Sequence, residues 1–519
     1  MLKLWLMAFP QYFRTGVYLT ALLVFALALR LTGIGNEPMW IDEAASVGIG
    51  SLPWSLILGE FARVEASPPG YYLLAALVHR IAADDLVALR VVSAVAGALV
   101  SVPVFLALWA EGERPAAWIA ALFLAMAATL VRLSGDARCY ALLTLCLALG
   151  FQAALALARA RRLGQTGWTP ALLLGLAMAA GIWLHATAGL LAVGLNAAAL
   201  AATGLSGWRW VLPRLVLANS AALLLAALPL FFIAQHVLAD APFIARWISP
   251  PGLAETVLLY GRTLVAPWQA PFSALTAGLF AVGLGLAGLA ALRGHSPAAS
   301  GALALAGFGL LAFPLVSQWR PVMLDRTVLP LLVPLAVLIA LGFTRLTAWP
   351  RLGLGMAGMF LALQAYGTQG FLSIALAKEQ WPALAAHHAE TAAPDDVLVI
   401  PDSVFLAIAF ADAARRQGLA VPPMLVVPAW SPLEQAAARH LAPWRAMTPA
   451  ELCTAMGPRS VVWVANRPLP PAVAADPGFT TQASILATLA AAGARPASAF
   501  QSLKLDLQRW TGPVCVPTP

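Results

Sequence analysis

Two adjacent carboxylates follow the first long apolar segment of the chain. Asp42 and Glu43 stand in the stretch WIDEA, directly after Trp40, and the same segment closes on SPPGYYLL, from Ser67 to Leu74. Acids at the edge of a membrane span are costly unless they line a polar cavity, so they indicate a functional site. A carboxylate there can act as a general base on a hydroxyl group. The competing interpretation is a solvated pair of loop charges, since acids are common outside the membrane.

Further charged residues gather at the ends of later apolar segments. The turn GDARCYALL contains Asp136, Arg138 and Tyr140, and the later turn SQWRPVMLDR ends in Asp325 and Arg326. Arginines at headgroup depth can bind a phosphate through two hydrogen bonds. With the carboxylate pair, they suit a reaction between a lipid phosphate and a hydroxyl acceptor. For Arg326 the alternative is an interface anchor whose side chain reaches the lipid headgroups.

The composition shows that a membrane protein must position these residues. Of the 519 residues, 61% are hydrophobic and 10% are charged, and the mean hydropathy is +0.82. Soluble domains of this length do not have such a composition. The net charge of +8 comes from scattered arginines, which on such a chain mark cytoplasmic loops rather than nucleic-acid contacts. The four cysteines form no CxxC pair, which speaks against a zinc cluster.

Apolar segments of spanning length recur along most of the chain. Residues 69–82 are apolar but short for a span, so they could cross or form a helix at the membrane surface. If they cross, the cluster RARR at 159–162 moves outside. If they do not, the arginine clusters fall on the side of Lys3 and Arg14 and the acids of loop 35–89 lie outside, so the positive-inside rule favours the surface helix. We expect about eleven transmembrane helices, near residues 16–34, 90–109, 115–131, 139–158, 169–184, 187–204, 214–234, 273–292, 299–317, 327–344 and 352–372.

Beyond the last apolar segment the pattern is that of a folded domain outside the membrane. VLVIP at 397–401 and SVVWVAN at 460–466 predict short buried strands, and SILATLAAAG at 484–493 predicts a helix. Cys453 and Cys515 are the cysteines of this region, and an oxidising compartment favours a disulfide bond between them. The alternative is two unpaired thiols in a cytoplasmic domain.

The predicted organisation is therefore a transmembrane catalytic domain, 1–375, followed by a periplasmic α/β domain, 376–519. The first domain includes the periplasmic loop 35–89.

The motifs at the membrane edge resemble a known family. The order of WIDEA, SPPGYYLL with ALR at 88–90, and GDARCYALL is similar to that in the GT-C glycosyltransferases. The similarity is to the branch of the protein O-mannosyltransferases and the lipid A aminoarabinose transferase, glycosyltransferase families 39 and 83. It covers roughly the first 200 residues well and the rest in outline. It implies an all-α polytopic membrane protein of GT-C fold with a C-terminal extracytoplasmic α/β domain.

The resemblance also implies an activity. Such enzymes take a sugar from a polyprenyl-phosphate donor, without a nucleotide sugar, and transfer it with inversion to a hydroxyl group of a lipid, glycan or protein. Asp42 would be the catalytic base that deprotonates the acceptor, and Glu43 would support the loop or the acceptor. The residues implied at the donor phosphate are Asp136, Arg138, Tyr140 and Arg326.

The chain departs from the family pattern at two positions. Ser67 stands where a histidine often precedes the two prolines, and Asp136 stands where a glutamate is commoner, so the shorter acid would sit back from the phosphate. The aminoarabinose branch uses a metal-linked glutamate, and Glu65 stands at a similar offset from the Gly-Tyr pair. His185 and His236 are the other candidate ligands, so a divalent metal stays an open alternative.

The predicted location is the bacterial inner membrane, with the active site on its periplasmic side. The expected partners are a polyprenyl-phosphate sugar, a cell-envelope glycan, lipid or protein as acceptor, and membrane lipid, with no nucleic acid. A transporter or flippase of lipid-linked substrates is a different hypothesis, and it predicts inverted repeats and charges at span centres. A lipid-binding scaffold is another, and it predicts that loss of Asp42 is tolerated.

Overall fold

The structure is a computed structural model. It describes residues 2–62, 67–238, 248–264, 296–346, 350–373, 378–394, 396–428, 441–447, 461–467, 481–502 and 504–512, with isolated positions at 278–289, 436 and 451. Glu65, Cys453, Cys515 and most of the predicted span 273–292 lie outside the described residues. The chain divides into two compact units. As far as they are described, the first comprises residues 1–34, 89–240 and 248–374, and the second 35–88 and 375–519.

Helices dominate the described residues. In chain order they are α1 (Leu2–Leu31), α2 (Ile41–Gly50), α3 (Gly70–His79), α4 (Asp85–Leu99), α5 (Ser101–Ala110), α6 (Arg114–Met126), α7 (Ala128–Ser134), α8 (Tyr140–Arg162), α9 (Trp168–Leu184), α10 (Ala188–Thr203), α11 (Trp208–Leu225), α12 (Ala227–Leu238), α13 (Leu253–Leu264), α14 (Pro297–Ser317), α15 (Leu332–Arg345), α16 (Pro350–Ser373), α17 (Trp381–Thr391), α18 (Val404–Arg416) and α19 (Thr481–Ala491). Short helical segments lie at Trp54–Leu56, Ile57–Phe61, Leu205–Gly207, Asp325–Val328 and Leu329–Leu331. Leucine and alanine fill most of these helices, and both favour the helical backbone.

The first unit contains the helices that can cross a membrane. Within the described part of the chain, four helical stretches are long and apolar enough to span: Asp85–Ala110, Tyr140–Arg162, Pro297–Ser317 and Asp325–Arg345. Two bent pairs, α6 with α7 and α10 with α11, pass the same test together, which gives up to six spans by length and composition. The chain is therefore a multi-pass membrane protein, and the count of eleven spans stays a prediction.

The bend between α6 and α7 is stabilised by hydrogen bonds from other helices. The two helices meet at 51°, so the last carbonyl groups of α6 lose their helical partners. In a membrane such groups need a protein donor. Arg30 donates to Leu124 O at 3.2 Å and to Ala125 O at 2.9 Å, and Thr368 donates to Met126 O at 2.7 Å. These bonds fix the direction of α7.

Small residues allow close packing of helices in the first unit. α9 and α11 approach at Gly175, where an added Cβ would lie 2.5 Å from the carbonyl oxygen of Ala218. α10 and α11 are joined by a reciprocal amide pair. Asn196 Nδ2 donates to Asn219 Oδ1 at 3.1 Å, and Asn219 Nδ2 donates to Asn196 Oδ1 at 2.8 Å.

The stretch between the predicted spans 214–234 and 273–292 contains the helix α13. Thr256, Tyr260 and Leu264 are buried at a spacing of four residues, which places them on one helical face. Tyr260 OH donates to Leu310 O of α14 at 3.1 Å.

The second unit contains a six-stranded mixed sheet. Its strands are β1 (Val397–Asp402), β2 (Met424–Pro428), β3 (Trp444–Ala446), β4 (Val461–Asn466), β5 (Arg495–Ser502) and β6 (Leu505–Thr511), in the spatial order β3-β2-β1-β4-β6-β5. β1 runs parallel to β2 and β4, whereas β6 runs antiparallel to β4 and β5. The strands predicted at 397–401 and 460–466 and the helix predicted at 484–493 are all present.

The first loop belongs to this second unit and is largely helical. α2 packs against α3 and α18. The contacts are close because of two glycines: an added Cβ at Gly48 would lie 3.0 Å from Ile408 Cδ1, and one at Gly50 would lie 2.8 Å from Ala75 Cβ. The acid pair thus stands on a helix that is packed against the C-terminal α/β fold.

Candidate active site

The predicted acid pair lies in the first turn of α2. Asp42 is half-buried and Glu43 is completely buried, with no exposed surface. Carboxylates in the first turn interact favourably with the helix dipole. The backbone of Trp40 opens the helix, because its carbonyl oxygen accepts the N–H groups of Glu43 at 3.0 Å and Ala44 at 2.9 Å.

Lys378 compensates the charge of Glu43. Its Nζ lies 3.3 Å from each carboxylate oxygen of Glu43 and 2.8 Å from Glu37 Oε2. The side chain of Lys378 is only 11% exposed, so this contact is shielded from solvent. A buried carboxylate needs such a partner, because burial of an unpaired charge is strongly unfavourable.

Glu379, the residue that follows Lys378, contacts the start of α2. Its Oε2 accepts the Ile41 N–H at 3.2 Å and the Trp381 Nε1–H at 3.0 Å, and its Oε1 lies 2.7 Å from Arg467 Nε. Burial raises the pKa of the Glu379 carboxyl group, and the nearby Asp42 carboxylate raises it further. The contacts with Arg467, Trp381 and the Ile41 N–H act in the opposite direction, since they favour the ionised form.

The arginine motif of the first unit forms a tight turn between α7 and α8. The Arg138 N–H donates to Asp136 O at 2.7 Å, and Ser93 Oγ donates to Arg138 O at 3.1 Å. Asp136 is buried, with 6% of its surface exposed, whereas Arg138 is half-buried. The backbone of the turn is therefore held by one bond within the turn and by one from Ser93 of α4.

Tyr140, the first residue of α8, contacts two further side chains. The Arg326 guanidinium carbon lies 5.8 Å from the centre of the Tyr140 ring, within the range of a cation–π interaction. The His185 ring lies 6.0 Å from the same ring, centre to centre. His185 Nδ1 accepts the Thr187 N–H at 3.2 Å.

Arg326 is positioned by the short helical turn Asp325–Val328. Asp325 Oδ1 accepts the Arg326 N–H at 2.8 Å, and the other oxygen of Asp325 forms an ion pair with Arg132 of α7. Thr327 Oγ1 donates to Val322 O and accepts the Leu324 N–H at 2.9 Å. The Asp325–Val328 turn is thus joined to α7, the helix that leads into the turn of Asp136 and Arg138.

The sequence did not decide whether a metal binds. Among the described residues, no three His, Cys, Asp or Glu side chains lie together as potential metal ligands. His185 and His236 are described, and Glu65 is outside the described residues.

In the first unit the structure brings Tyr140 and Arg326 together and places Asp136 and Arg138 in the turn directly before Tyr140. Asp42 and Glu43 belong to the second unit. Lys378 and Glu379, which contact α2, and Arg467, which pairs with Glu379, were not predicted. KEQW shows adjacent opposite charges shortly after the last predicted span, but nothing in it indicates a contact with α2.

Similar structures exist, although no protein-family model and no curated protein sequence matches the chain significantly. ArnT from Cupriavidus metallidurans in its apo state superposes with a TM-score of 0.60 at 12% identity, over 96% of this chain and 98% of that one. The same protein bound to undecaprenyl phosphate gives a TM-score of 0.54 at 13% identity, over 96% and 99% of the two chains. The fold is therefore that of the GT-C membrane glycosyltransferases.

Proposed function

We propose that this protein is a membrane glycosyltransferase that moves a sugar from a polyprenyl-phosphate donor to a hydroxyl acceptor. The observation that carries the proposal is the fold match with ArnT over almost the full length of both chains. One of those ArnT structures contains undecaprenyl phosphate, and we infer a donor of the same chemical class here. The acceptor is a lipid, glycan or protein of the cell envelope.

The proposed reaction assigns Asp42 as the general base. Its carboxylate accepts the proton of the acceptor hydroxyl while the oxygen attacks the anomeric carbon of the sugar. The bond from that carbon to the phosphate oxygen breaks, and polyprenyl phosphate leaves with the electron pair. Attack in line with the leaving group inverts the anomeric carbon. Glu43, paired with Lys378, supports the turn that holds Asp42.

The proposed phosphate-binding residues belong to the first unit. Arg138 and Arg326 balance the charge of the phosphate as the sugar leaves, since guanidinium groups bind phosphate oxygens in pairs. Tyr140 packs beside the Arg326 guanidinium and orients it. Asp136 sets the shape of the turn through the Arg138 N–H bond to its carbonyl oxygen.

The proposed location is the bacterial inner membrane, with about eleven spans and with loop 35–89 and the C-terminal α/β domain on the periplasmic side. The charge bias of the loops supports this topology. Periplasmic chemistry also suits a donor whose sugar is already linked to a lipid, because no nucleotide sugar is needed there.

The test is transfer from radiolabelled undecaprenyl-phosphate sugars by the purified protein in proteoliposomes. Asp42→Asn removes the base, so we expect the transfer rate to fall by about 10²–10⁴-fold while donor binding persists. Glu60→Gln is the matched control, because Glu60 is an exposed acid of the same loop.

Two results would contradict the proposal. An Asp42→Asn variant with more than half of the wild-type rate rejects Asp42 as the base. A wild-type protein that carries intact donor across the bilayer without consuming it rejects the transferase and favours a flippase.

A further inference from the structure

The helix that bears Asp42 begins without the usual capping side chain. The first N–H groups of a helix need partners outside the helix, and Ser, Thr, Asp or Asn at the N-cap normally supplies one. In α2 the N-cap position is occupied by Trp40, whose indole group carries a donor and no acceptor. The Trp40 carbonyl oxygen accepts the N–H groups of Glu43 and Ala44. The acceptor of the Ile41 N–H comes from a distant part of the chain.

Glu379 supplies that partner from 338 residues along the sequence. Its Oε2 accepts the Ile41 N–H at 3.2 Å, and the carboxylate is itself held by Trp381 Nε1 and Arg467 Nε. Only 1% of Glu379 is exposed, so its carboxylate is shielded from water. Two hydrogen bonds at one oxygen and an ion pair at the other restrict the motion of this carboxylate, and a restrained cap restrains the first turn of the helix.

The sheet of the second unit explains how Glu379 is fixed. Arg467 directly follows the carboxyl end of β4, whose parallel neighbour is β1. β2 and β4 lie on opposite sides of β1, so the order in which the strands are added to the sheet reverses between β1 and β4. α/β sheets often bind ligands at the carboxyl ends of strands at such a point. Here Arg467 holds Glu379 at that edge, and α18, which follows β1, packs against α2.

The adjacent residue strengthens the connection. Lys378 contacts Glu37 before the helix and Glu43 within its first turn, so two consecutive residues hold α2 by its backbone and by its acids. Burial raises the pKa of the Glu379 carboxyl group. Burying a carboxylate is unfavourable, and the Arg467 and Trp381 contacts offset that penalty in the direction that keeps it ionised.

We propose that Glu379 is a positioning residue for Asp42, so that the C-terminal α/β domain takes part in the transfer reaction by fixing the first turn of α2. This inference rests on the proposed function only in assigning Asp42 as the base. Displacement of a catalytic group by about 1 Å can reduce a rate by about 100-fold. A misplaced base slows the chemical step without changing how the donor phosphate is bound.

The experiment compares Glu379→Ala, Glu379→Gln and Glu390→Gln in the full-length protein. Alanine removes the acceptor, so we expect kcat to fall by about 100-fold with an unchanged donor KM. Glutamine keeps a carbonyl oxygen that can accept the Ile41 N–H, so we expect it to recover much of kcat. Glu390 is an exposed acid near the end of α17, and its variant serves as the control.

Hydrogen exchange without substrate provides a readout that is independent of activity. We expect faster amide exchange in the first turn of α2 for Glu379→Ala, and wild-type exchange for the Glu390 control. Equal kcat for Glu379→Ala and wild type overturns the proposal. So does a lower kcat with unchanged exchange in α2, because Glu379 would then act by another route.

The two proposals fail separately. A fully active Asp42→Asn variant rejects Asp42 as the base. In that case the exchange of α2 in Glu379→Ala still shows whether Glu379 holds the helix.

Discussion

Two arginines of the first unit are placed around Tyr140: the Arg326 guanidinium carbon lies 5.8 Å from the centre of its ring, and Arg138 precedes it by two residues. Like charges repel, so a fold that gathers them favours binding of an anion in their neighbourhood. Asp325 accepts the Arg326 N–H and pairs with Arg132, which places one acid in the same region. The oxygens of a phosphate match the paired donors of guanidinium.

We expect the increase in the donor KM to depend on which residue replaces Arg138. Arg138→Ala removes both the charge and the paired donors, whereas Arg138→Lys keeps the charge. Alanine should therefore raise the donor KM more than lysine does, in the proteoliposome assay with a polyprenyl-phosphate sugar. Arg209→Ala is the control, because Arg209 is an exposed arginine beside Trp208. Small and equal effects at Arg138 would show that it only anchors the interface.

Some site residues could be predicted from the sequence and others could not. Asp42 and Arg138 could be singled out because their types and neighbours match a local motif. Glu379 could not, since its role depends on a contact with Ile41 across 338 residues. Nothing in KEQW itself indicates which helix its carboxylate would cap. Long-range contacts of this kind follow from the packing of the whole second unit rather than from spacing.

The positions of helices could be predicted from the sequence, but only one of the two bends has a local sequence signal. α8 and α14 coincide with predicted spans because an apolar segment of sufficient length leaves few alternatives. The bend at Ala127 has no proline or glycine to mark it; it depends on Arg30 and Thr368, which come from other helices. The 99° bend between α10 and α11 does have a local mark, Gly204, whose φ is +81°.

The amide pair between α10 and α11 should stabilise the first unit measurably. Asn196→Ala or Asn219→Ala leaves the remaining amide without its partner side chain, so the two substitutions should not be additive. Coupling energies for such pairs in membranes average about 0.6 kcal/mol and reach about 1.7 kcal/mol. A double-mutant cycle on the free energy of unfolding in detergent or bicelles measures this coupling.

The control for that cycle is Ser220→Ala, because Ser220 is the exposed neighbour of Asn219 on α11. Strictly additive effects of the two asparagine substitutions would mean that the pair contributes no coupling energy. The transfer rate should be unchanged throughout, since neither asparagine belongs to the proposed catalytic or phosphate-binding groups.

The topology of the whole molecule depends on α3. Its ten residues correspond to about 15 Å of helix, roughly half of the apolar thickness of a bilayer. We therefore expect residues 69–82 to remain on the periplasmic surface. In a variant without the native cysteines, Ala83→Cys should react with an impermeant thiol reagent in cells with a permeable outer membrane, and Gln165→Cys should not. Labelling of position 165 from outside would reverse the predicted topology.

The contact between Ile41 and Glu379 also imposes an order in time. The ribosome adds Glu379 338 residues after Ile41, which at 5–20 residues per second is a delay on the order of 20–70 s. During that interval the transmembrane helices of the first unit are synthesised, while the Ile41 N–H of α2 still lacks the Glu379 carboxylate that accepts it. If Glu379 positions the base, we expect the growing chain to transfer sugar about 100-fold more slowly until the α/β domain has been synthesised and folded. Folding of that domain would then raise the activity of a transmembrane domain that is already in place.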